Sequence, residues 1–493
     1  MLAPDRFRFL NREFPLEWPE GWNDGEKEKL WLYNLHYFDD LVAADAPTRR
    51  DLHHDLISRW VAENPPGQGN GWEPYPISLR IVNWVKWALA DRDRLRGPKV
   101  PVPLSPDALQ SLALQARFLR QRLEYHLLGN HLWANAKALV FAGLFFQGAE
   151  ADGWLSRGLK ILGSELPEQV LPDGGHFERS PMYHAIILED LLDLMNLFQA
   201  YGGEVPVKWL DASSRMRTWL KAMTHPDGGI ALFNDAAFGI APALADLDAY
   251  AARFGLKRQE HSLRSITHLP DTGYIRCERE NAVLFLDAAL IGPDYISGHA
   301  HADTLNFEMS LFGQRLIVDT GTSTYEKNAE RQRQRGTAAH NTVQVDGEDS
   351  SEVWGGFRVA RRAYPRDLEV AENESDIRIA CAHDGYRRLT GKPIHRREWR
   401  LGEGHLAVRD RVEGKYREAV ARYHFHPDVQ VTMLEGGKGR GILPGGQCFV
   451  FTVEKGNARM ADATYHPEFN LSLPNQCLEL GFDGAEVQVK FSY

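Results

Sequence analysis

Cysteine is scarce and scattered: Cys277, Cys381, Cys448 and Cys477 are the four in the chain, and none stands in CxxC spacing. That pattern excludes a disulfide framework and a thiolate zinc site and predicts buried free thiols. No stretch approaches the roughly 20 uncharged apolar residues that a membrane helix needs, so no membrane span is expected. The N-terminus, Met1 to Phe14, mixes charge with aromatics and lacks the apolar run and small-residue cleavage site of a secretory leader. The expected location of the chain as given is therefore cytoplasmic, or periplasmic if a leader has been removed. A basic excess is missing as well: 57 Lys and Arg stand against 67 Asp and Glu, a formal charge of −10. A nucleic-acid partner is excluded short of a strongly segregated basic face, and any acidic ligand must be drawn in by a local cleft. Nothing in the sequence fixes an oligomeric state.

What is present is the composition of a folded protein, 43% hydrophobic and 25% charged, in a chain of 493 residues that is too long for a single core. From about Lys27 to about Gly255 apolar residues recur at helical spacing, as in Ile77, Ile81, Trp84 and Val85, then Leu132, Ala136, Leu139 and Val140, then Ile187, Leu191, Leu194 and Phe198. Several of these segments are apolar around much of their circumference, which predicts helices buried on two sides in a double-layered array. Asp173-Gly174-Gly175 recurs as Asp227-Gly228-Gly229, 54 positions later, a period long enough for one helical hairpin. Around Ser262 to Thr272 the pattern changes. Beyond Tyr274 apolar and polar residues alternate, as Leu305, Phe307, Met309 and Leu311 do with Thr304, Asn306, Glu308 and Ser310, and again through Thr342 to Val345 and Ala407 to Val412. Such alternation predicts an antiparallel sandwich, and the expected division is a helical domain over 1–270 and a β-sandwich domain over 271–493.

Three polar clusters interrupt these patterns. Gly129-Asn130-His131 stands directly ahead of the apolar helix Leu132 to Phe146, where a helix cap is the competing explanation. Asp173 to His184 packs His176, Glu178, Arg179, Tyr183 and His184 into a turn and the helix behind it. Core packing does not require that set, although Tyr183 and His184 can also be read as hydrogen-bonded core residues. Ser297 to Asp303 brings His299 and His301 into an extended segment, where residues two apart project to one face. With Asp319 and His340 farther on, His301 completes a nitrogen-and-oxygen set suited to a divalent metal such as zinc. From chemistry alone a metal site and a hydrogen-bonded histidine network remain open alternatives.

These segments also carry a family resemblance. NHLWANAKALVFAGLFF (Asn130 to Phe146), DGGHFERSPMYH (Asp173 to His184), and SGHAHADTLNFEMSLFGQRLIVDTGTSTYE with RGTAAHNTVQVDG (Ser297 to Gly347) resemble the heparinase II/III family of polysaccharide lyases, over most of the chain from about Trp31 to Gly385. The resemblance implies an incomplete α/α toroid followed by an antiparallel β-sandwich. It also implies a catalytic tyrosine at Tyr183, a catalytic histidine at His299, contact with the substrate carboxylate at Asn130, and zinc ligands at His301, Asp319 and His340. The N-terminal RFLNREFPLEW and LWLYNLHYFDDL resemble members found among polysaccharide-assembly proteins.

The implied activity is cleavage of a uronate-containing polysaccharide by β-elimination. The C5 proton leaves, charge moves onto the carboxylate, and the C4–O bond breaks. A weakly acidic C5 proton requires preorganised donors for the developing charge, for which Asn130 with His131 or His184 is suited. It also requires a proton-transfer group on the sugar's flank: Tyr183, or His299 for the opposite C5 epimer. A cleft between toroid and sandwich is expected to place Tyr183 and His299 on opposing walls. Glu178, Arg179, Trp72, Tyr75, Arg80 and Arg335 are the expected substrate-binding residues, by stacking and anion pairing. For Arg331, Arg333 and Arg335 a solvated face is the competing reading. Two other functions fit the sequence less well: a glycoside hydrolase drawing a carboxylate pair from Asp173, Glu178 and Asp227, and a non-catalytic carbohydrate-binding protein of polysaccharide assembly.

Overall fold

The protein is described from a computed structural model, over residues 1–94, 104–256 and 263–493. Ser262, where the expected change of pattern begins, lies outside the described residues. The chain forms two compact units, one of Met1–Gln169 with Asp190–Pro206 and one of Val170–Glu189 with Val207–Tyr493. Compactness therefore does not follow the chain's passage from helices to strands near residue 270.

The first unit is helical: α1 (Lys29–Tyr37), α2 (Arg50–Glu63), α3 (Pro74–Arg94), α4 (Pro106–Arg120), α5 (Gly129–Phe145), α6 (Ala149–Gln169) and the second half of α7 (Pro181–Ala200). Ser105 caps α4 by accepting from the Ala108 amide at 3.2 Å, with Pro106 in the first turn, where its missing N–H costs nothing. α5 is buried on almost every side, as its all-round apolar sequence predicts. It approaches α6 closely because two glycines permit it. A Cβ on Gly143 would stand 2.5 Å from the Leu155 nitrogen, and one on Gly158 would stand 2.7 Å from the Ala136 carbonyl oxygen. Among the described residues no helix is long and apolar enough to cross a membrane.

The second unit holds the first half of α7, then α8 (Val207–Ala222), α9 (Leu244–Ala252), three larger antiparallel sheets and one two-stranded hairpin. Five strands run in sequence order as a meander: Ile266–Leu269, Tyr274–Arg279, Ala282–Asp287, Phe307–Leu311 and Gln314–Ile317. One core cluster joins this meander to the other two sheets, through Ile275, Leu284 and Phe307 against Val343, Tyr423 and Leu478 and against Ile379, Trp399 and Phe491. His405–Glu413 and Glu486–Ser492 show the alternating burial of strands with one wet face.

The meander departs from that pattern. Its second face is covered by Trp219, Met223 and Phe233, which pack on Tyr274, Val283 and Phe285. The polar partners of the 304–310 alternation are consequently buried, and Asn306, Glu308 and Ser310 spend their side chains on other buried groups. Glu308 accepts from His225 Nε2 at 2.7 Å, from the Leu232 amide at 2.7 Å and from Arg315 at 3.3 Å.

The 54-residue recurrence is structural. Leu171 N–H donates to the Gly175 carbonyl and His225 N–H to the Gly229 carbonyl, while Val170 bridges His176 and Thr224 bridges Ile230. In both loops the aspartate accepts from its own second glycine, at 3.0 Å from Gly175 and 2.8 Å from Gly229. Of the four cysteines, Cys277, Cys381 and Cys477 are buried and free as expected; Cys448 is free but exposed.

Candidate functional site

The site in the second unit is built around one buried carboxylate, Asp235, that the sequence did not single out. Its Oδ2 accepts from His299 Nδ1 at 2.8 Å and from Arg331 at 2.7 Å; its Oδ1 accepts from His301 Nε2 at 2.8 Å and again from Arg331. Burial alone would raise this carboxyl, but the Arg331 charge and the histidine bonds outweigh it and hold Asp235 well below the usual carboxylate range. His299 and His301 thus share a site, as their two-residue spacing predicts, by binding the two oxygens of one carboxylate.

Tyr183 reaches the same place from the start of α7. Ser180 accepts from the Tyr183 amide at 3.2 Å and donates to the Asp235 carbonyl at 2.6 Å, with Pro181 next in line as the first helical residue. Arg179 sits at φ +60°, and its carbonyl accepts from Tyr274 Oη at 2.7 Å and Asn234 Nδ2 at 3.1 Å. These bonds fix the turn that aims Tyr183. Its ring lies 4.0 Å from the His299 ring, and its hydroxyl lies 3.1 Å from that of Tyr325. Tyr183 and His299 therefore stand in contact within one compact unit rather than facing each other from opposing walls. Glu178 is buried beside them, its Oε2 3.7 Å from His299 Nε2.

Deeper in the same unit, Asp303, Asp319 and His340 offer ligand atoms that all lie within 4.8 Å of one another. His340 Nδ1 is 2.7 Å from Asp319 Oδ2. Asp303 Oδ2, His340 Nε2 and His301 Nδ1 are buried without a hydrogen-bond partner among the described residues. Burial lifts Asp303 to about 7, with His340 opposing the rise and Asp319 adding to it. Asp287 is raised well above its ordinary range, by burial first and then by the Asp303 charge. Crowded buried carboxylates beside unpartnered ring nitrogens are the chemistry of a cation site, and the residues present fit a divalent metal. Asp303, absent from the set expected from sequence, is in the cluster; His301 borders it, its ring 5.2 Å from that of His340.

In the first unit Asn130, His131 and Tyr75 come together. Asn130 bonds the Tyr75 hydroxyl, and the His131 ring lies 4.5 Å from that of Tyr75. His131 Nδ1 is 3.1 Å from Glu124 Oε1. The helix-cap explanation fails here, because Leu128 is the capping residue and no side chain caps the end.

Five expected substrate contacts are structural instead. Trp72 is buried, donates to the Asn64 carbonyl at 3.1 Å and packs edge-on against Phe118. Arg80 is buried over the Trp60 ring and spends its guanidinium on Gln115, the His36 carbonyl and the Gly71 carbonyl. His184 is buried on Trp219 with both ring nitrogens engaged, by the Met216 carbonyl and the His176 amide, and burial depresses it to about 3. Arg335 is buried and donates to the Ala300 carbonyl at 3.1 and 2.9 Å, bracing the loop between His299 and His301. Arg331 is likewise buried, so of the three arginines in the run only Arg333 meets the expectation of a solvated face. Arg179 is also buried, donating to the Thr272 carbonyl at 3.0 Å. The carboxylate pair of a hydrolase is not available in the two Asp-Gly-Gly loops: Asp173 is taken by Gly175, Asp271 and Thr272, and Asp227 by Gly229 and Arg315.

Two family models tile the chain. "Heparinase II/III N-terminus" matches residues 56–257 and "Heparinase II/III-like, C-terminal" matches residues 261–488. The chain is 26% identical over 271 residues to the "Heparin-sulfate lyase" of Bacteroides stercoris, covering 51% of this chain and 40% of that protein. It is 26% identical over 446 residues to "FtsZ-localized protein C" of Caulobacter vibrioides, covering 83% of this chain and 72% of that one. The chain thus spans less than half the length of the first of these relatives. Among solved structures, "Crystal Structure of Heparinase III" matches with a TM-score of 0.78 at 17% identity, over 97% of this chain and 80% of that one. That likeness gives the fold: a helical α/α toroid region followed by an antiparallel β-sandwich. With both halves of the sequence matched and the fold shared, the chain belongs to the heparinase II/III-like family.

Proposed function

We propose that the protein is a polysaccharide lyase that cleaves a uronate-containing acidic polysaccharide by β-elimination. The observation that carries this reading is the contact of Tyr183 with a His299 that is itself fixed by Asp235. Asp235, held ionised, takes a proton-bearing Nδ1 from His299, which leaves the Nε2 lone pair free to act as a base. Burial keeps Tyr325 a neutral phenol, so it donates to the Tyr183 oxygen when that oxygen carries charge and steadies it there. In the step proposed, a base removes the C5 proton, the electron pair forms the C4=C5 bond, the C4–O bond breaks, and the leaving oxygen is protonated. Tyr183 performs both transfers when the two positions share a face; His299 takes the C5 proton for the opposite epimer while Tyr183 protonates the leaving oxygen. Donors for the charge that develops on the uronate carboxylate are also required. The relatives named heparin-sulfate lyase support a sulfated uronate polymer as the first substrate to try.

Asp303, Asp319 and His340, with His301 beside them, would hold a divalent cation, proposed to be zinc, whose charge would offset the buried carboxylates. Removing that charge leaves several buried acids uncompensated. Chelation is therefore expected to lower the melting temperature together with activity. His340→Ala should lose metal and stability, whereas His299→Ala should lose activity and keep both. Elemental analysis that finds no stoichiometric divalent ion in protein purified without chelator counts against the site, and metal loss in His299→Ala reverses the roles.

The proposed activity is tested by ultraviolet absorbance of the new C4=C5 bond on a panel of uronate polymers, including the producing organism's own surface polysaccharide. Hydrolysis and simple binding generate no such chromophore. New reducing ends without absorbance on every polymer would overturn the lyase reading.

A further inference from the structure

Of the 13 tryptophans in the chain, all within the described residues, Trp354 alone is exposed, at 57%. It lies on a short hairpin, Val353–Trp354 paired with Arg358–Val359 across Gly355, Gly356 and Phe357. Both glycines take left-handed φ, +60° and +80°, which a three-residue turn of this kind requires. Trp354 is directly opposite Arg358, so the two side chains share one face of the hairpin, while Val353 turns to the buried side. Lys327 lies against the turn at Gly356, close enough that a Cβ there would be 3.2 Å from its Cγ. Among the described residues neither Arg358 nor Lys327 has an ion pair or a side-chain hydrogen bond partner, although Arg361 is neutralised by Glu352 and Arg362 by Asp294. An exposed indole and one cation are therefore presented from a single hairpin, with a second cation packed on its turn.

The hairpin is held rigidly, and by the helix that also serves the site. From Ala329–Arg335, which we number α10, Arg331 donates to the Gly356 carbonyl at 3.1 Å, Gln332 to the Val353 carbonyl at 2.6 Å and Arg335 to the Arg358 carbonyl at 3.4 Å. Phe357, at the turn, packs edge-on against Tyr325 at 5.5 Å and against His299 at 6.2 Å. Arg331 is the residue that clamps Asp235. The platform and His299 are thus two ends of one braced assembly, and neither needs to reorganise for a ligand to span them.

We propose that Trp354, Arg358 and Lys327 form an accessory subsite for one anionic sugar of the polymer, beyond the residues at the bond that is cut. The indole offers its face to the apolar side of a pyranose, and the two cations pair with its carboxylate or sulfate. This inference rests on the lyase reading for its link to turnover but not for binding itself.

Trp354 supplies its own reporter, since it is the tryptophan most open to a soluble quencher. In a Tyr183→Phe background, which leaves the polymer uncut, heparan sulfate chains should protect fluorescence from iodide and acrylamide quenching. Unsulfated hyaluronan should protect if a carboxylate suffices, and neutral dextran should not protect. In the active protein, Trp354→Ala and Arg358→Ala should each raise KM about fivefold for long chains, the size expected of a partly exposed contact, with kcat and melting temperature retained. Oligosaccharides too short to reach the platform should show no change in KM. Lys327→Ala with Arg358→Ala should also flatten the salt dependence of KM. Absence of protection by both uronate polymers, or an unchanged KM on long chains, overturns the subsite. Protection without any double-bond absorbance from the active protein would instead leave the subsite standing and overturn the lyase reading.

Discussion

Tyr183→Phe is expected to leave a folded protein that still binds its polymer but turns over about 10²–10⁴-fold more slowly, the range carried by a general acid or base in the transition state. The substitution removes one oxygen and nothing else. The ring keeps its place against His299, because that contact is made by ring faces 4.0 Å apart, and the start of α7 is held by Ser180 and Arg179 rather than by the phenol. The hydroxyl bonds the Tyr325 hydroxyl, and losing that bond costs about 1–3 kcal/mol. Stability should therefore fall slightly while turnover collapses. Tyr325→Phe is the control that separates the two effects. It removes the same hydrogen bond from the other side, so it should match the small stability loss and reduce kcat far less. Progress curves followed by double-bond absorbance, with binding measured independently, check both variants. Near-native kcat in Tyr183→Phe would remove Tyr183 from the reaction.

The passage from helices to strands and the burial of α5 were legible because each rests on periodicity, which a single sequence carries. The alternation from His405 to Glu413 was legible in the same way, since one face of that strand is wet. At 304–310 the same alternation marks an antiparallel strand but not its surroundings. Both faces of the meander are covered, and Glu308 and Ser310 are polar for the sake of His225 rather than of water. Local pattern cannot report a second layer contributed by distant residues such as Trp219 and Phe233. The site shows the same division. His299 and His301 were found through their spacing, and the same period of two extends to Asp303, a signal left unused. Asp235 has no local pattern; its importance arises from four bonds that converge from positions 64 to 96 residues away. The recurrence of the Asp-Gly-Gly turn was the available clue, because the first turn leads into Glu178 and Tyr183 and the second leads into Asn234 and Asp235. Arg331 and Arg335 were obscured by their company, since a run of alternating arginines is usually solvated. Trp72 and Arg80 failed as surface contacts because stacking and ion-pairing side chains also build cores when each polar atom finds a backbone partner.

Asp235→Ala should be the most damaging single change in the second unit, lowering stability by about 3–5 kcal/mol, the cost of leaving one member of a buried ion pair uncompensated. Arg331 is buried and would face His299 and His301 with no negative charge between them. Activity should fall with stability, because His299 loses the acceptor that fixes its Nδ1 proton and hence its tautomer. The companion test is Asp235→Leu combined with Arg331→Met, which replaces the pair by apolar groups of similar volume and should recover most of the stability but none of the activity. Acid sensitivity follows from the same geometry. The folded state holds Asp235 well below an unfolded value of about 3.9, so the stability it contributes is complete above that unfolded value and is lost progressively as the pH falls below it toward and through the depressed folded value. In the double variant that contribution to the acid limb of the stability curve should vanish. Denaturant melts of the wild type, Asp235→Ala and the double variant at neutral pH and again near pH 3 measure all of these quantities. If Asp235→Ala melts like the wild type, the ion pair does not hold the site together, and His299 must be positioned by other contacts.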